Sequence, residues 1–505
     1  MKIINKIILI STITIFSWIF IFSFFYRSNV YYSENSFITF LISIPIILLW
    51  SFIFIKLKKH KKDISIKKEV IILIIYFILV SIIQYITLKQ LDVIPHSDYG
   101  VIYDNALKYA TTGSRTNAMY IEYFQLFPNN IFMFFMMLFS IKVGMLFHIS
   151  ALNSIHLLNM FFIDLSLLLI YLTVRKLFGK KEAIFSLIIT FFFQALFIYT
   201  PIVYSDTLSL FIGILFVYLY TFIDNKINKK NIILFILIGL LAFIGKSIKV
   251  TSLIVLIALV FNYFLKNKFK NTVISLLIIG ITFLSFNTIF NKVFVSAERF
   301  SFKVNDYGSY PYTHWLMMGV EDPDADNSGR NSYGGYNSND YEKTLSFKTG
   351  KEAQKYNLKE YKRRVSKLGV FGYGEFLTRK NVNIWSDGYY FSNVAISINP
   401  VNTTKLRSFI TDKKTRYYGI YFNQAVVFSF FITLIVGAYL KLKEKKYKEI
   451  DYVRLSIIGI LVFLTFWEAR SRYLVNFIPI FILIIIEFYS MIYNKYINKS
   501  KRRND

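Results

Sequence analysis

Ionisable side chains at the edges of long apolar blocks are the residues best placed to do chemistry in this chain. A charge beside lipid is costly unless it is paired or has a task. The run PHSDYGVIYDNALKYATTG offers Asp98 and Asp104, whose six-residue separation puts them on different faces of a helix and in different roles. Capping or solvating a short helix would explain the pair as well as a functional task would. The turn YTPIVYSDTLSLF carries Asp206 directly before an apolar span, which is also a good N-cap position. GKSIKVTS brings Lys246 and Lys249 into one tight turn with Ser247 and Thr251, where lysines either snorkel or grip a lipid phosphate. WEARSRYLVNFIP gathers Glu468, Arg470, Arg472 and Tyr473 within a few residues, and arginines at that edge call for an anionic ligand.

Two further runs lie in a long polar segment. In DPDADNSG, Asp322, Asp324 and Asp326 alternate as at the opening of a calcium loop. Asn327 stands where such a loop needs glycine, and Tyr333 where it needs glutamate, so a solvated acidic turn is the favoured reading. A divalent cation is the only cofactor the sequence suggests. In YPYTHWLMMG, His314 and Trp315 either stack on an acceptor sugar or pack the segment. Asn402-Thr403-Thr404 fits a glycosylation sequon, which has no force in a bacterial host, and the abundance of Ile, Lys, Asn and Phe suits an AT-rich bacterial genome.

The elements that must position these residues are membrane helices. Apolar residues make up 55% of the 505, aromatics 19%, and they fall in blocks of about 20, the length that crosses the hydrocarbon core. Mean hydropathy is +0.46. Spans are expected near 7–25, 37–55, 70–88, 155–174, 184–200, 207–223, 232–247, 249–265, 272–290, 420–440, 455–468 and 474–493. The net charge of +29 is concentrated in short connectors such as Lys56–Lys68, Arg175–Lys181 and Lys441–Arg454. That pattern fits cytoplasmic loops and excludes nucleic acid as the partner. It predicts a multi-pass cell-membrane protein with both termini cytoplasmic. Cysteine is absent, so disulfides and thiolate sites are excluded. The first block follows Lys2 and Lys6 but no small-residue cleavage site follows it, so it is expected to be a retained span.

Residues 131–148 are apolar enough to cross, yet a crossing there would invert every later basic loop. They are therefore expected to lie in the outer interface, an assignment that Lys142 within the block and Pro128 before it support. The expected organisation is a two-span extension (1–69), a transmembrane core (70–290) with a first outer loop (89–130), an extracytoplasmic domain (291–419), and C-terminal helices with a cytoplasmic tail (420–505).

In their order along the chain these motifs resemble the GT-C glycosyltransferases, specifically family 39, the protein mannosyltransferase and aminoarabinose-transferase group. Asp98-Tyr99 with Tyr103, Ala106 and Gly113 is similar to the family's acidic first-loop motif. Phe127-Pro128 through VRKLFGKKEA resembles its juxtamembrane helix, next span and basic turn. Tyr204-Ser205-Asp206 stands at its second acidic loop, Lys249-Val250-Thr251 at a Lys-Pro-Thr motif, and Arg472-Tyr473 with Pro479 at its late Arg-Tyr…Pro pattern. Val250 replaces the proline, Tyr99 stands where many members carry a second acid, and the large loop matches none of the better-known branches. It is closer to an uncharacterised integral-membrane branch of low-GC Gram-positive bacteria associated with exosortase systems.

The resemblance implies a GT-C-like bundle of about 12 transmembrane helices plus an outer interfacial helix. It also implies transfer of a sugar, with inversion, from a polyprenyl-phosphate donor to an extracytoplasmic glycan, lipid or protein. Asp98 would be the base. Lys249, Lys246, Arg470, Arg472 and Tyr473 would hold the donor phosphate, and Asp206 or Asp104 would be a second acidic or metal-binding group. A transporter or lipid flippase, and an outer-face polysaccharide polymerase or ligase, are the rival classes. The large loop argues against most transporters, and the early Asp98 loop against the polymerases.

Overall fold

The computed structural model describes residues 2–26, 34–60, 63–114, 118–224, 226–302, 307–324, 333–445 and 451–497. Among them the chain is helical throughout, and the one isolated bridge pairs Val93 with Pro400. It is an all-α, polytopic membrane protein. Nine helices among the described residues are long and apolar enough to cross a membrane. Eight of the expected spans lie in these; the ninth is Pro128–Leu146. The other expected spans are shorter. That near 184–200 breaks into Lys180–Thr190 and Ala195–Ile198, and those near 207–223, 249–265 and 455–468 are Ser205–Tyr220, Val250–Lys266 and Asp451–Phe466.

Helix starts follow local chemistry. Asn35 accepts from the amides of Phe37 (3.0 Å) and Ile38 (3.3 Å), and Ser65, Ser150 and Asn228 cap helices Ile66–Leu91, Ala151–Leu177 and Lys229–Ile248 in the same way. Burial separates inner helices from lipid-facing ones. The apolar window of Ser471–Lys495 is 78% buried and that of Phe269–Val295 only 6%.

Ion pairs fix which helix ends lie together. Glu69, at the start of Ile66–Leu91, binds Arg175 at the end of Ala151–Leu177 and the Tyr171 hydroxyl. Lys58, at the end of Ser36–Lys59, binds Glu182 at 2.6 Å. These ends share the basic connectors and form a basic end of the bundle. At the opposite end, Asn159 donates to the carbonyls of Tyr199 and Thr200 (3.0 Å each) and of Ile202 (3.3 Å). One side chain thus satisfies the acceptors freed where the chain leaves helical geometry, which lipid would not.

The Ile131–Leu146 helix has both its ends at that opposite end. Its start meets Lys246 and Ser247, which close Lys229–Ile248, and its far end turns directly into Ala151–Leu177, with the Ser140 hydroxyl 2.8 Å from the Ser154 carbonyl. Both ends of this helix thus lie at one end of the bundle, although Pro128–Leu146 is also long and apolar enough to cross a membrane.

Most of the expected 291–419 domain is helical and lies over the same end. Its described residues form helices Tyr312–Met318, Ser338–Leu345, Gly350–Ser386, Ser392–Ala395 and Lys405–Thr411, while Asn291–Val295 continues the Phe269–Val295 helix and residues 416–419 begin Arg416–Lys443. The longest is broken at Gly369, whose φ of 65° suits glycine alone. The buried Arg364 holds this domain together, reaching Asp340 (2.5 and 2.9 Å), Glu360 (3.0 Å) and the Val320 carbonyl (3.0 Å).

Candidate functional site

Four breaks in helical structure meet at the end opposite the basic one, and each delivers one ionisable group. Asp98 stands in the first turn of Ser97–Thr112, where backbone amides favour a negative charge. Asp206 stands in the first turn of Ser205–Leu208. Lys249 leaves Lys229–Ile248 in an extended conformation (φ −156°) before the turn Val250–Ser252. Arg472 lies in the 3-10 turn Ser471–Phe477 that precedes the Pro479-containing helix.

The four converge. Asp98 accepts a hydrogen bond from the Tyr204 hydroxyl, and Tyr123 hydrogen-bonds the same carboxylate while accepting from Asn130 Nδ2 at 2.6 Å. The Arg472 guanidinium lies 4.5 Å from the Tyr204 ring centroid and 5.3 Å from that of Tyr473. Asp206, 1% exposed, is ion-paired to Lys249, whose ammonium sits 4.3 Å from the Tyr473 ring centroid. The Tyr473 hydroxyl donates to Glu468 at 2.7 Å. The charges of Asp98 and Asp206 both act on Arg472. Asp98, Tyr204, Lys249, Arg472 and Tyr473 are half-buried, which leaves the cluster open on one side.

Among the described residues no carboxylate lies within ion-pair distance of Arg472; its Nη2 reaches the Tyr204 hydroxyl at 3.5 Å, and its buried Nε has no hydrogen-bond partner. Two aromatic faces hold a full positive charge without neutralising it, which is the arrangement an incoming anion requires.

The 291–419 domain clamps the segment that carries Arg472. The Glu468 amide donates to the Trp315 carbonyl (2.8 Å) and the Ala469 amide to that of Gly334 (3.0 Å). Lys380, fully buried, donates to the carbonyls of Gly319 (2.8 Å) and Trp467 (2.5 Å). Desolvation lowers the Lys380 ammonium to about 7, against the raising influence of the nearby Glu468 charge. A side chain at Gly319 would put Cβ 2.7 Å from the Phe466 carbonyl oxygen, so this contact needs glycine.

Several expected residues have other tasks. Asp206 does not cap its helix, because its carboxylate turns to Lys249. Asp104 is exposed on the far side of its helix from the buried Asn105 and Ala106. Lys246 contacts Asn287 at 3.2 Å and lines a neighbouring cleft, and Arg470 lies 5.2 Å from the Phe391 ring centroid. His314 is fully buried with Nδ1 2.8 Å from the Thr344 hydroxyl, so it packs the domain and cannot stack on an acceptor. Its ring is pushed down to about 3, by burial first and by Arg364 second. Asp322 and Asp324 pair with Arg363, and Asp324 also with Lys367, so cations occupy the carboxylates of the calcium-like run; Asp326 lies outside the described residues. Among the described residues no group of three or more acids or histidines is placed to hold a metal.

The sequence did not single out Tyr123 or Lys380. A phenol in an aromatic-rich chain and a lysine in a basic helix carry no distinguishing signal. Nor did it single out Asp387, which accepts from the Ser471 hydroxyl (2.6 Å) and the Phe391 amide (3.0 Å), and so ties the turn bearing Phe391 to the Arg472 segment.

No curated protein and no solved structure matches the chain. A family model matches residues 1–491, and the chain belongs to that family, described as conserved hypothetical integral membrane proteins.

Proposed function

We propose that this protein is a membrane glycosyltransferase that moves a sugar from a polyprenyl-phosphate donor to an extracytoplasmic acceptor, with the Asp98–Arg472 cluster as its active site. The observation that carries the reading is Arg472, a guanidinium that lies against two rings with no ion-paired carboxylate among the described residues and meets, at the Tyr204 hydroxyl, the half-buried Asp98. The order of the motifs, similar to that of the GT-C family 39 enzymes, supports the same chemistry.

In the proposed reaction the acceptor hydroxyl oxygen attacks the anomeric carbon and Asp98 takes its proton. The bond from that carbon to the phosphate oxygen breaks with its electron pair on phosphate, and attack from the opposite side inverts the anomeric centre. Free polyprenyl phosphate leaves with one more negative charge on its phosphate than in the diester. Arg472 stabilises that charge, and it does so most effectively where water is scarce. Lys249, ion-paired to Asp206, also lies against the Tyr473 ring.

The reading is tested by release of polyprenyl phosphate from a labelled donor. Asp98→Asn keeps the size of the side chain and removes its basicity, so turnover should fall by roughly 10²–10⁴-fold in a protein that still elutes as a folded species. Wild-type turnover in that variant would remove Asp98 from the mechanism. The reading also places the cluster outside and the basic end in the cytoplasm. On this cysteine-free background, Tyr336→Cys should label from outside and Lys180→Cys only after permeabilisation. Outside labelling at Lys180→Cys would overturn the interfacial placement of Ile131–Leu146.

A further inference from the structure

A cleft of about 280 Å³ opens beside the cluster, between the chain near 126–132, the ends of Lys229–Ile248 and Phe269–Phe290, and the 291–419 domain. The rings of Phe127, Tyr310 and Trp315 line it, and Asn129, Ser247 and Ser309 offer amide and hydroxyl groups. The rings are held in place: Phe127 lies parallel to Tyr310 (centroids 5.4 Å, 13°), which lies parallel to Tyr341 (5.3 Å, 8°). Two walls are shared with the cluster. Asn129 donates to Asn130 Oδ1 (3.1 Å), whose Nδ2 donates to Tyr123, the partner of Asp98. The Trp315 carbonyl receives the Glu468 amide.

We propose that this cleft binds a sugar unit of the acceptor, so that the acceptor is a glycan; the acceptor role rests on the transfer reading above. Fixed aromatic faces take the apolar C–H face of a sugar ring, and amides and hydroxyls pair with its hydroxyls. The volume is at the small end of ligand cavities, about 300–1,000 Å³, which admits a sugar and not an isoprenoid chain. The lining holds no carboxylate or arginine, and its one lysine, Lys246, is held by Asn287. A phosphate finds a stronger site at Arg472.

The test is saturation-transfer NMR of cellobiose, mannobiose and N,N′-diacetylchitobiose with the full-length protein in micelles. Ring-proton signals are expected from at least one of them, weakened roughly tenfold by Trp315→Leu, the scale of a strong aromatic contact. They should be restored in Trp315→Phe, reduced by Asn129→Ala at an exposed position, and unchanged in Arg472→Ala. No signal from any saccharide with the wild-type protein, or signals that survive both Trp315→Leu and Asn129→Ala, would overturn the cleft assignment. Polyprenyl-phosphate binding, measured separately, distinguishes the two readings. Its absence in the wild type with saccharide binding intact removes the transfer reading and with it the acceptor role, leaving a saccharide-binding cleft; saccharide failure with phosphate binding intact removes the cleft assignment alone.

Discussion

The bundle buries charge at both of its ends, and the two clusters are built differently. At the basic end Lys441 lies 2.5 Å from Asp451 and 2.8 Å from Glu487, and Arg454 lies 2.5 Å from Glu487. These residues tie Arg416–Lys443, Asp451–Phe466 and Ile478–Ile492 together, and none is more than 4% exposed. Two positive charges meet two negative ones, and water is shut out. At the other end Asp206 and Lys249 are matched in the same way, but Arg472 has two tyrosine rings and the Tyr204 hydroxyl for partners and Asp98 only phenols. A sealed, balanced cluster joins helices. An open one with an unmatched cation is poised for a ligand.

The comparison predicts opposite responses to removing a charge. Glu487→Gln leaves Lys441 and Arg454 short of an anion in a buried site, and breaking such a pair costs about 3–5 kcal/mol. Thermal unfolding in detergent should show a large drop, with polyprenyl-phosphate affinity unchanged at temperatures where the variant is folded. An unaltered melting temperature would mean that the basic-end cluster is not a structural joint.

A smaller effect sharpens the contrast through pH. His314 stays neutral when folded, down to about 3, whereas it titrates near 6.5 when unfolded. Below about 6.5 the unfolded form binds a proton that the folded form refuses, so stability falls as pH drops toward 3, by about 1.4 kcal/mol per pH unit; above that window His314 contributes no pH dependence. The 291–419 domain should loosen first, and with it the clamp on residues 467–469. Protection factors in Tyr312–Met318 and Ser338–Leu345, taken relative to the intrinsic exchange rate at each pH, should fall between pH 6 and pH 5, and His314→Asn should flatten that dependence. A fall that persists unchanged in the variant would assign it to other groups.

The helices were legible because each apolar block ends at a basic connector or a capping residue. Asp98, Asp206, Lys249 and Arg472 were legible because they stand at the non-basic ends of those blocks, where a charge needs a reason. Their partners were not. Tyr123 and Tyr204 are two of 37 tyrosines, and nothing along the chain marks which phenol meets a carboxylate. The basic-end cluster was not legible: Lys441 and Arg454 bound a basic connector, and nothing along the chain marks that both are buried against Glu487 in the last helix. Sequence left open whether His314 and Trp315 stack on a sugar or pack the segment, because it does not show that the helix Tyr312–Met318 buries the first and leaves the second half-exposed.

The central claim, that Arg472 is an anion site and not a joint, is tested most directly by measuring polyprenyl-phosphate affinity and melting temperature together in Arg472→Ala. A charge-assisted contact contributes about 1.5–3 kcal/mol, so affinity should fall roughly 10- to 150-fold while the melting temperature moves far less than in Glu487→Gln. Unchanged affinity, with a melting temperature as low as that of Glu487→Gln, would contradict the claim and make Arg472 a structural residue.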